Sequence, residues 1–244
     1  TSAIALPSFA ASGGDLQASD LTGVSFWLVT AALLAATVFF FVERDNVSSK
    51  WKTSLTVSGL VTGIAFWHYL YMREAHVASL TGSAEATTTV FRYIDWLVTV
   101  PLQIVEFYLI LAAVTIVPLM LFWRLLGAAL VMLVFGFMGE ANLGDPMLMF
   151  IVGMAGWFYI IYEVFAGEAS KLSVSSANRG AQFAFNNLRL ILTVGWAIYP
   201  IGYYLGMESG GSDTANIVYN LADLVNKAAF GLVIWAGAKM DSED

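Results

Sequence analysis

The chain has 244 residues, 59% of them hydrophobic and only 12% charged, with a net charge of -7. Soluble domains carry about one-quarter charged residues, so this composition, with a mean hydropathy of +0.74, describes membrane-spanning helices rather than a soluble domain. The acidic balance argues against nucleic acid as a partner, and the absence of Cys excludes a disulfide framework or a thiolate metal site.

The first twenty residues are small, weakly polar and free of basic side chains. Ser8-Phe9-Ala10 has the small-x-small form of a signal-cleavage site, so residues 1–20 are predicted to be an exported tail or a signal-peptide remnant. A hydrocarbon core of about 30 Å takes about 20 helical residues. Seven segments qualify: 21–43, 52–77, 88–113, 118–139, 146–167, 178–206 and 215–239. The predicted fold is an all-α bundle of seven transmembrane helices over 21–239, with 240–244 as a cytoplasmic tail. "ERDNVSSK" joins the first two spans, and the second-to-third connection, "EAHVASLTGSAEATTTV", is long. "GEANLGDP" joins the fourth and fifth, where Asp145 before Pro146 reads as a helix start. "GMESGGSDT" joins the last two, and Glu208 there reads as a solvated loop residue. One set of span ends holds Arg44, Lys50, Lys52, Arg124, Lys171, Arg179 and Lys239. The other holds Arg73 and otherwise acids: Asp15, Asp20, Glu85, Glu140, Asp145, Glu208 and Asp213. Positive charge gathers on the cytoplasmic side, so the N-terminus is predicted outside and the C-terminus inside.

Charges at membrane depth are costly and normally face a protein interior or water, where they serve function. On the second span His68 sits in "FWHYLYMR". The third span, "RYIDWLVTVPLQIVEFYLIL", spaces Arg92, Asp95, Thr99 and Glu106 by 3, 4 and 7, which puts all four on one face. Asp95 and Glu106 lie about 16 Å apart along the axis and about 20° apart around it, too far to share one cation. Pro101, between them, is predicted to bend or loosen this helix. The sixth span, "GWAIYPIGYY", sets Trp196, Tyr199 and Tyr203 at i, i+3 and i+7 around Pro200. The seventh, "YNLADLVNKAAFGLVIW", stacks Asp223 and Lys227 at i and i+4. Lys227 has about a dozen residues on either side, so snorkelling to an interface is difficult. A desolvated lysine readily becomes a nucleophile toward an aldehyde, and a cationic adduct would need carboxylates beside it. Asp223 and Asp95 are the candidates.

These motifs, with "WAIYP" and "DLVNKAAFG", resemble the microbial (type 1) rhodopsins, and among them the proteorhodopsins, over the whole chain. The resemblance implies a light-driven outward proton pump. Lys227 would bind all-trans retinal as a Schiff base. Asp95 would be the counterion and proton acceptor, Glu106 the cytoplasmic proton donor and Asp223 a second counterion, with Arg92 beside them. His68 would contact the acceptor. Trp96, Trp196, Tyr199, Pro200 and Tyr203 would wall the retinal pocket, although many relatives carry Trp where this chain has Tyr203. Gln103 stands one turn beyond Thr99, and an amide there resembles the blue-absorbing branch, where Leu marks the green. The bland alternative for Gln103 is an amide tied to a neighbouring helix. The resemblance also implies a bacterial inner membrane, protons as the transported species and a homo-oligomer, a pentamer or hexamer. The triad Asp95, Thr99 and Glu106 distinguishes this chain from chloride pumps, which lack the first carboxylate, and from sodium pumps, which place Asn, Asp and Gln at these positions. A photosensory rhodopsin with the same chromophore is the alternative, and it usually lacks the donor carboxylate. A seven-helix receptor or secondary transporter would not need Lys227 between two acids.

Overall fold

The computed structural model describes residues 16–80, 88–176, 178–209 and 213–243. All regular elements among the described residues are helical. The first five spans are Leu21–Glu43, Lys52–Leu80, Thr88–Ala112, Leu119–Glu140 and Pro146–Phe165. A short helix, Glu168–Ser175, leads to the sixth span, which runs as Arg179–Leu190, a π-helical segment Ile191–Gly195 and Ile198–Ser209. The seventh runs as Asp213–Asp223, a π-helical segment Leu224–Ala229 and Phe230–Glu243. Consecutive spans lie side by side, and the seventh closes the ring against the first and second. The predicted seven-helix bundle is therefore the observed fold. The signal-like Ser8–Ala10, Asp15, Glu85 and the Glu208 side chain lie outside the described residues.

Local chemistry starts the helices where the sequence places them. Asp20 Oδ1 accepts from Gly23 N at 2.8 Å, Asp145 Oδ1 from Leu148 N at 2.7 Å and Asn178 Oδ1 from Ala181 N at 2.7 Å. Each satisfies a backbone donor that the first helical turn leaves open. The third span continues through Pro101 without interruption, so the expected loosening is not a break in the helix.

Six of the spans are apolar enough to cross a membrane by composition, and the second is not among them. Its 29 residues are long enough, but they bury Ser54, Ser58, Thr62, His68, Arg73 and His76 against neighbouring spans. This helix is also longer than its hydropathy suggests. It runs to Leu80, three residues beyond the expected end at residue 77. His76 Nε2 lies 3.1 Å from both carboxylate oxygens of Asp20, and the Arg73 guanidinium lies 3.9 Å from the Trp27 ring centre. Polar residues there are anchored to the first span rather than released to solvent.

The expected cytoplasmic tail is also partly helical, because its polar residues have partners. Trp51 Nε1 donates to Asp241 Oδ2 at 2.6 Å, Lys50 Nζ lies 2.7 Å from the same oxygen, and Asn178 Nδ2 donates to Asp241 Oδ1. Ser48 N donates to the Ser242 hydroxyl at 2.9 Å. One carboxylate thus ties the loop between the first and second spans, the start of the sixth span and the end of the seventh. Just above it the sixth and seventh backbones touch. A Cβ at Gly237 would lie 2.7 Å from the Gly180 carbonyl and 2.9 Å from the Ala184 Cβ. Small residues let helices approach this closely in a membrane. Gly237→Ala is expected to lower the unfolding free energy by about 1–3 kcal/mol. Gly127→Ala, where an added Cβ meets nothing within 4 Å, should be neutral or slightly stabilising. Thermal unfolding of both in detergent checks this, and equal midpoints would refute the close-contact account.

Candidate functional site

The third and seventh spans bring their charges together at mid-depth. Lys227 Nζ donates to Asp95 Oδ2 at 2.6 Å and lies 2.9 Å from Asp223 Oδ1. Both carboxylates are 0% exposed and Lys227 is 2% exposed. The two acids are held differently. Asp223 Oδ1 also accepts from Tyr199 hydroxyl at 2.7 Å and Trp96 Nε1 at 3.1 Å, and Asp223 Oδ2 accepts from Tyr69 hydroxyl at 2.8 Å. Asp95 Oδ1, by contrast, is buried without a hydrogen-bond partner. His68 Nδ1 lies 3.8 Å from that oxygen, beyond hydrogen-bond range, and instead donates to the Ile64 carbonyl at 2.9 Å. Thr99 hydroxyl donates to the Asp95 carbonyl at 2.9 Å, one turn back along the same helix.

Arg92 stands one step toward the other end of the bundle and pairs directly with neither acid. Its Nη2 donates to Asn220 Oδ1 at 2.6 Å and Asn216 Oδ1 at 3.2 Å, and its Nη1 reaches Tyr69 hydroxyl at 3.4 Å. Tyr69 therefore links Arg92 to Asp223. The sequence reading missed Tyr69, Asn216, Asn220 and Asn226. A signal was present for two of them: Asn216, Asn220, Asp223 and Lys227 follow a 4-3-4 spacing, a polar stripe on one helix face.

Glu106 lies apart. It is 0% exposed, and neither carboxyl oxygen has a hydrogen-bond partner, with Ser54 of the second span as its polar neighbour. On that side the Phe107 ring meets Phe185 edge-on at 5.8 Å and Phe230 at 6.0 Å, an aromatic seal across the third, sixth and seventh spans.

A cavity ends at Lys227. Trp96, Gln103, Trp157, Trp196, Tyr199, Pro200 and Tyr203 are among its walls, so every predicted pocket residue lines it. Its empty space, open mouth included, is about 740 Å³. An apolar, aromatic-walled cavity closed by one lysine fits a hydrophobic aldehyde. The two π-helical segments face each other beside it. Asn226 Nδ2 donates to the Gly195 carbonyl at 2.9 Å, Trp157 Nε1 to the Leu192 carbonyl at 3.1 Å and Gln103 Nε2 to the Asn226 carbonyl at 2.7 Å. Gln103 thus both faces the cavity and ties the third span to the peptide that precedes Lys227. The tie to a neighbouring helix, one of the two sequence alternatives for this amide, is therefore present.

Comparison with known proteins agrees with this architecture. The family model described as bacteriorhodopsin-like protein matches residues 20–240. The chain is 62% identical to a blue-light absorbing proteorhodopsin from Gamma-proteobacterium Hot 75m4, covering 100% of this chain and 96% of that protein. It is 61% identical to a green-light absorbing proteorhodopsin from Gamma-proteobacterium EBAC31A08 with the same coverage. Among solved structures, a blue light-absorbing proteorhodopsin from Med12 shares 60% identity with a TM-score of 0.77, covering 91% of this chain and 99% of that one. Xanthorhodopsin, a light-driven ion pump with dual chromophore, shares 29% identity with a TM-score of 0.81, covering 93% of this chain and 96% of that one.

The buried charges make a testable energetic demand in the retinal-free protein. Removing one partner of a buried ion pair costs about 3–5 kcal/mol because the other charge is left uncompensated. Lys227→Ala should therefore lower the thermal midpoint strongly, and adding Asp95→Asn in the same chain should recover part of the loss. A double variant no more stable than Lys227→Ala would show that the pair is not coupled.

Proposed function

The chain belongs to the bacteriorhodopsin-like family, whose chromophore is retinal, and we propose that it is a light-driven outward proton pump that absorbs blue light. The observation that carries this proposal is a lysine nitrogen set between two buried carboxylates at the end of an aromatic cavity, with a third carboxyl isolated farther along the same helix face. Lys227 Nζ is the atom proposed to hold retinal, in the all-trans form, with Trp96, Gln103, Trp196, Tyr199, Pro200 and Tyr203 around it. Bound there, retinal supplies visible absorption and a light-driven change of shape.

The chain's own residues direct the proton. Asp95 Oδ2 is 2.6 Å from Nζ, and Asp95 Oδ1 accepts no hydrogen bond. Asp223 has four donors on its two oxygens. The carboxylate with spare acceptor capacity takes the proton, and the saturated one keeps its charge as second counterion. Arg92, bound to Asn216, Asn220 and Tyr69, balances the remaining negative charge. His68 stands close enough to Asp95 to tune it electrostatically, and Thr99 fixes the turn that presents it. Glu106 has no partner for a charge, so the form such a site holds is the neutral acid, ready to return a proton to Lys227 from the cytoplasmic side. That donor carboxyl is what favours a pump over the photosensory alternative. The positive-inside pattern supports an N-terminus outside and a C-terminus inside the bacterial inner membrane, with residues 1–20 as an exported tail and 240–244 at the cytoplasmic face. Resemblance to the family supports a homo-oligomer, a pentamer or hexamer.

The blue assignment rests on Gln103, since overall identity to the blue and green relatives is nearly equal. A dipole near the charged nitrogen stabilises the ground state more than the excited state, in which charge moves toward the ring. That effect is strong at low dielectric.

Cells that express the chain with added retinal should acidify their medium in light, and a protonophore should abolish the change. A visible pigment without acidification would favour the sensor. Asp95→Asn is expected to abolish pumping and move the band to longer wavelength. Glu106→Gln should leave the dark band in place and slow the late return of the proton to Lys227, and indistinguishable effects of the two changes would overturn their separate roles.

Gln103→Leu should move the band to longer wavelength with retinal still bound. An unmoved or shorter-wavelength band would sink the colour assignment alone.

A further inference from the structure

The pump proposal leaves the outward exit of the proton without a carrier. One carboxyl group beside the cavity has no part in the scheme: Glu140, the last residue of the fourth span. It is half-buried and lines the cavity, and its Oε1 accepts from the Tyr219 hydroxyl. Two glycines just before it bring further phenols close. A Cβ at Gly136 would lie 3.0 Å from the Tyr93 hydroxyl, and one at Gly139 would collide with the Tyr203 hydroxyl. Phenols from the third, sixth and seventh spans therefore converge on the end of the fourth.

Tyr219 faces the charge cluster on its other side. The Arg92 guanidinium lies 5.2 Å from its ring centre, and its ring meets Trp96 edge-on at 5.5 Å and stacks on Tyr199 at 6.3 Å. Trp96 and Tyr199 are two of the donors to Asp223. Glu140 does not serve its own helix, because an acid in the last turn opposes the helix dipole. A carboxyl held by a tyrosine at the cavity end, half open to the outside and reached from the inner cluster through one aromatic ring, is the arrangement of a proton-transfer group.

We propose that Glu140 and Tyr219 form the proton exit of this pump, which rests on the pump proposal above. Glu140 gives its proton to outer water and becomes a carboxylate. A proton arriving from the Arg92 side binds the Tyr219 oxygen as the hydrogen of that hydroxyl passes to Glu140 Oε1. Tyr219 ends unchanged, Glu140 is again an acid, and one proton has left for one gained.

Three variants test it. Tyr219→Phe removes only the hydroxyl, Glu140→Gln removes only the ionisation, and Glu140→Asp keeps a carboxyl. After a flash, a pH dye reports when the proton reaches the medium, and the visible band reports when Lys227 loses its own. Tyr219→Phe and Glu140→Gln are expected to delay release about tenfold or more relative to that loss, and Glu140→Asp should restore most of the speed. Unchanged release in Tyr219→Phe or Glu140→Gln overturns the exit. Absence of any visible band in the unaltered protein would instead refute the pump itself. The retinal-free protein then still decides the site. In its glutamate side-chain carbon NMR spectrum, the Glu140 carboxyl resonance, identified by Glu140→Gln or Glu140→Asp, should move in Tyr219→Phe. A resonance that stays in place overturns the link between the two residues.

Discussion

Everything in this bundle is arranged around a lysine cation that is only 2% exposed. A charge at that depth costs several kcal/mol, and a buried ion pair at best recovers most of its desolvation penalty. The structure meets this cost with four groups rather than two. Lys227 and Arg92 supply two positive charges, Asp95 and Asp223 two negative ones, and Tyr69 connects the halves. That balance fixes which helices must converge. The third span carries Asp95 and Arg92, the seventh carries Asp223 and Lys227, and the second supplies Tyr69. It also explains why the second span is the least apolar of the seven: its polar side chains face protein, not lipid.

The lysine stands in a π-helical segment, and this has consequences for the walls of its cavity. π-turns interrupt the regular hydrogen-bond ladder and are frequent at functional sites. Backbone carbonyls inside a membrane protein need partners. Here side chains from other spans provide them: Asn226 for Gly195, Trp157 for Leu192 and Gln103 for Asn226. Gly195 is required where it is, because a Cβ there would strike the Asn226 amide. The same contacts that repair the backbone also fix Trp157 and Gln103 as cavity walls. Fold repair and site construction are one network.

Much of this was legible in the sequence because a charge in an apolar run is a rare event. The 3-4-7 ladder from Arg92 to Glu106 and the Asp223–Lys227 pair stand out for that reason, and the structure buries every one of these side chains. Other features were hidden by ordinary chemistry. Asn216 and Asn220 look like unremarkable helix residues until Arg92 is placed against them. The π-segments leave no mark in a hydropathy pattern. The second span was expected to end at residue 77, and Asp241 and Ser242 suggested a tail, because polarity near a span end usually means solvent. A partner at the end of another span, Asp20 for His76 and Trp51 for Asp241, turns a polar residue into a helix anchor. Such partners are far apart in the chain, so local pattern cannot show them.

The two halves of the bundle differ in what a proton meets. On one side of Lys227 lie hydroxyls, amides and a guanidinium: Tyr69, Asn216, Asn220 and Arg92, joined by hydrogen bonds of 2.6–3.5 Å. On the other side Glu106 is enclosed beside the Phe107, Phe185 and Phe230 rings, and its carboxyl oxygens make no hydrogen bond. Exchange through the first half needs only a reshuffling of hydrogen bonds, each worth about 0.5–1.5 kcal/mol net. Exchange through the second needs close-packed rings to move apart, and such interiors do not deform continuously. If both sides were equally open, a proton released at Asp95 could return by the path it took, and light would drive no net flow. In the proposed pump, direction therefore comes from this inequality between a polar half and a sealed half, and the isolation of Glu106 is the feature that enforces it.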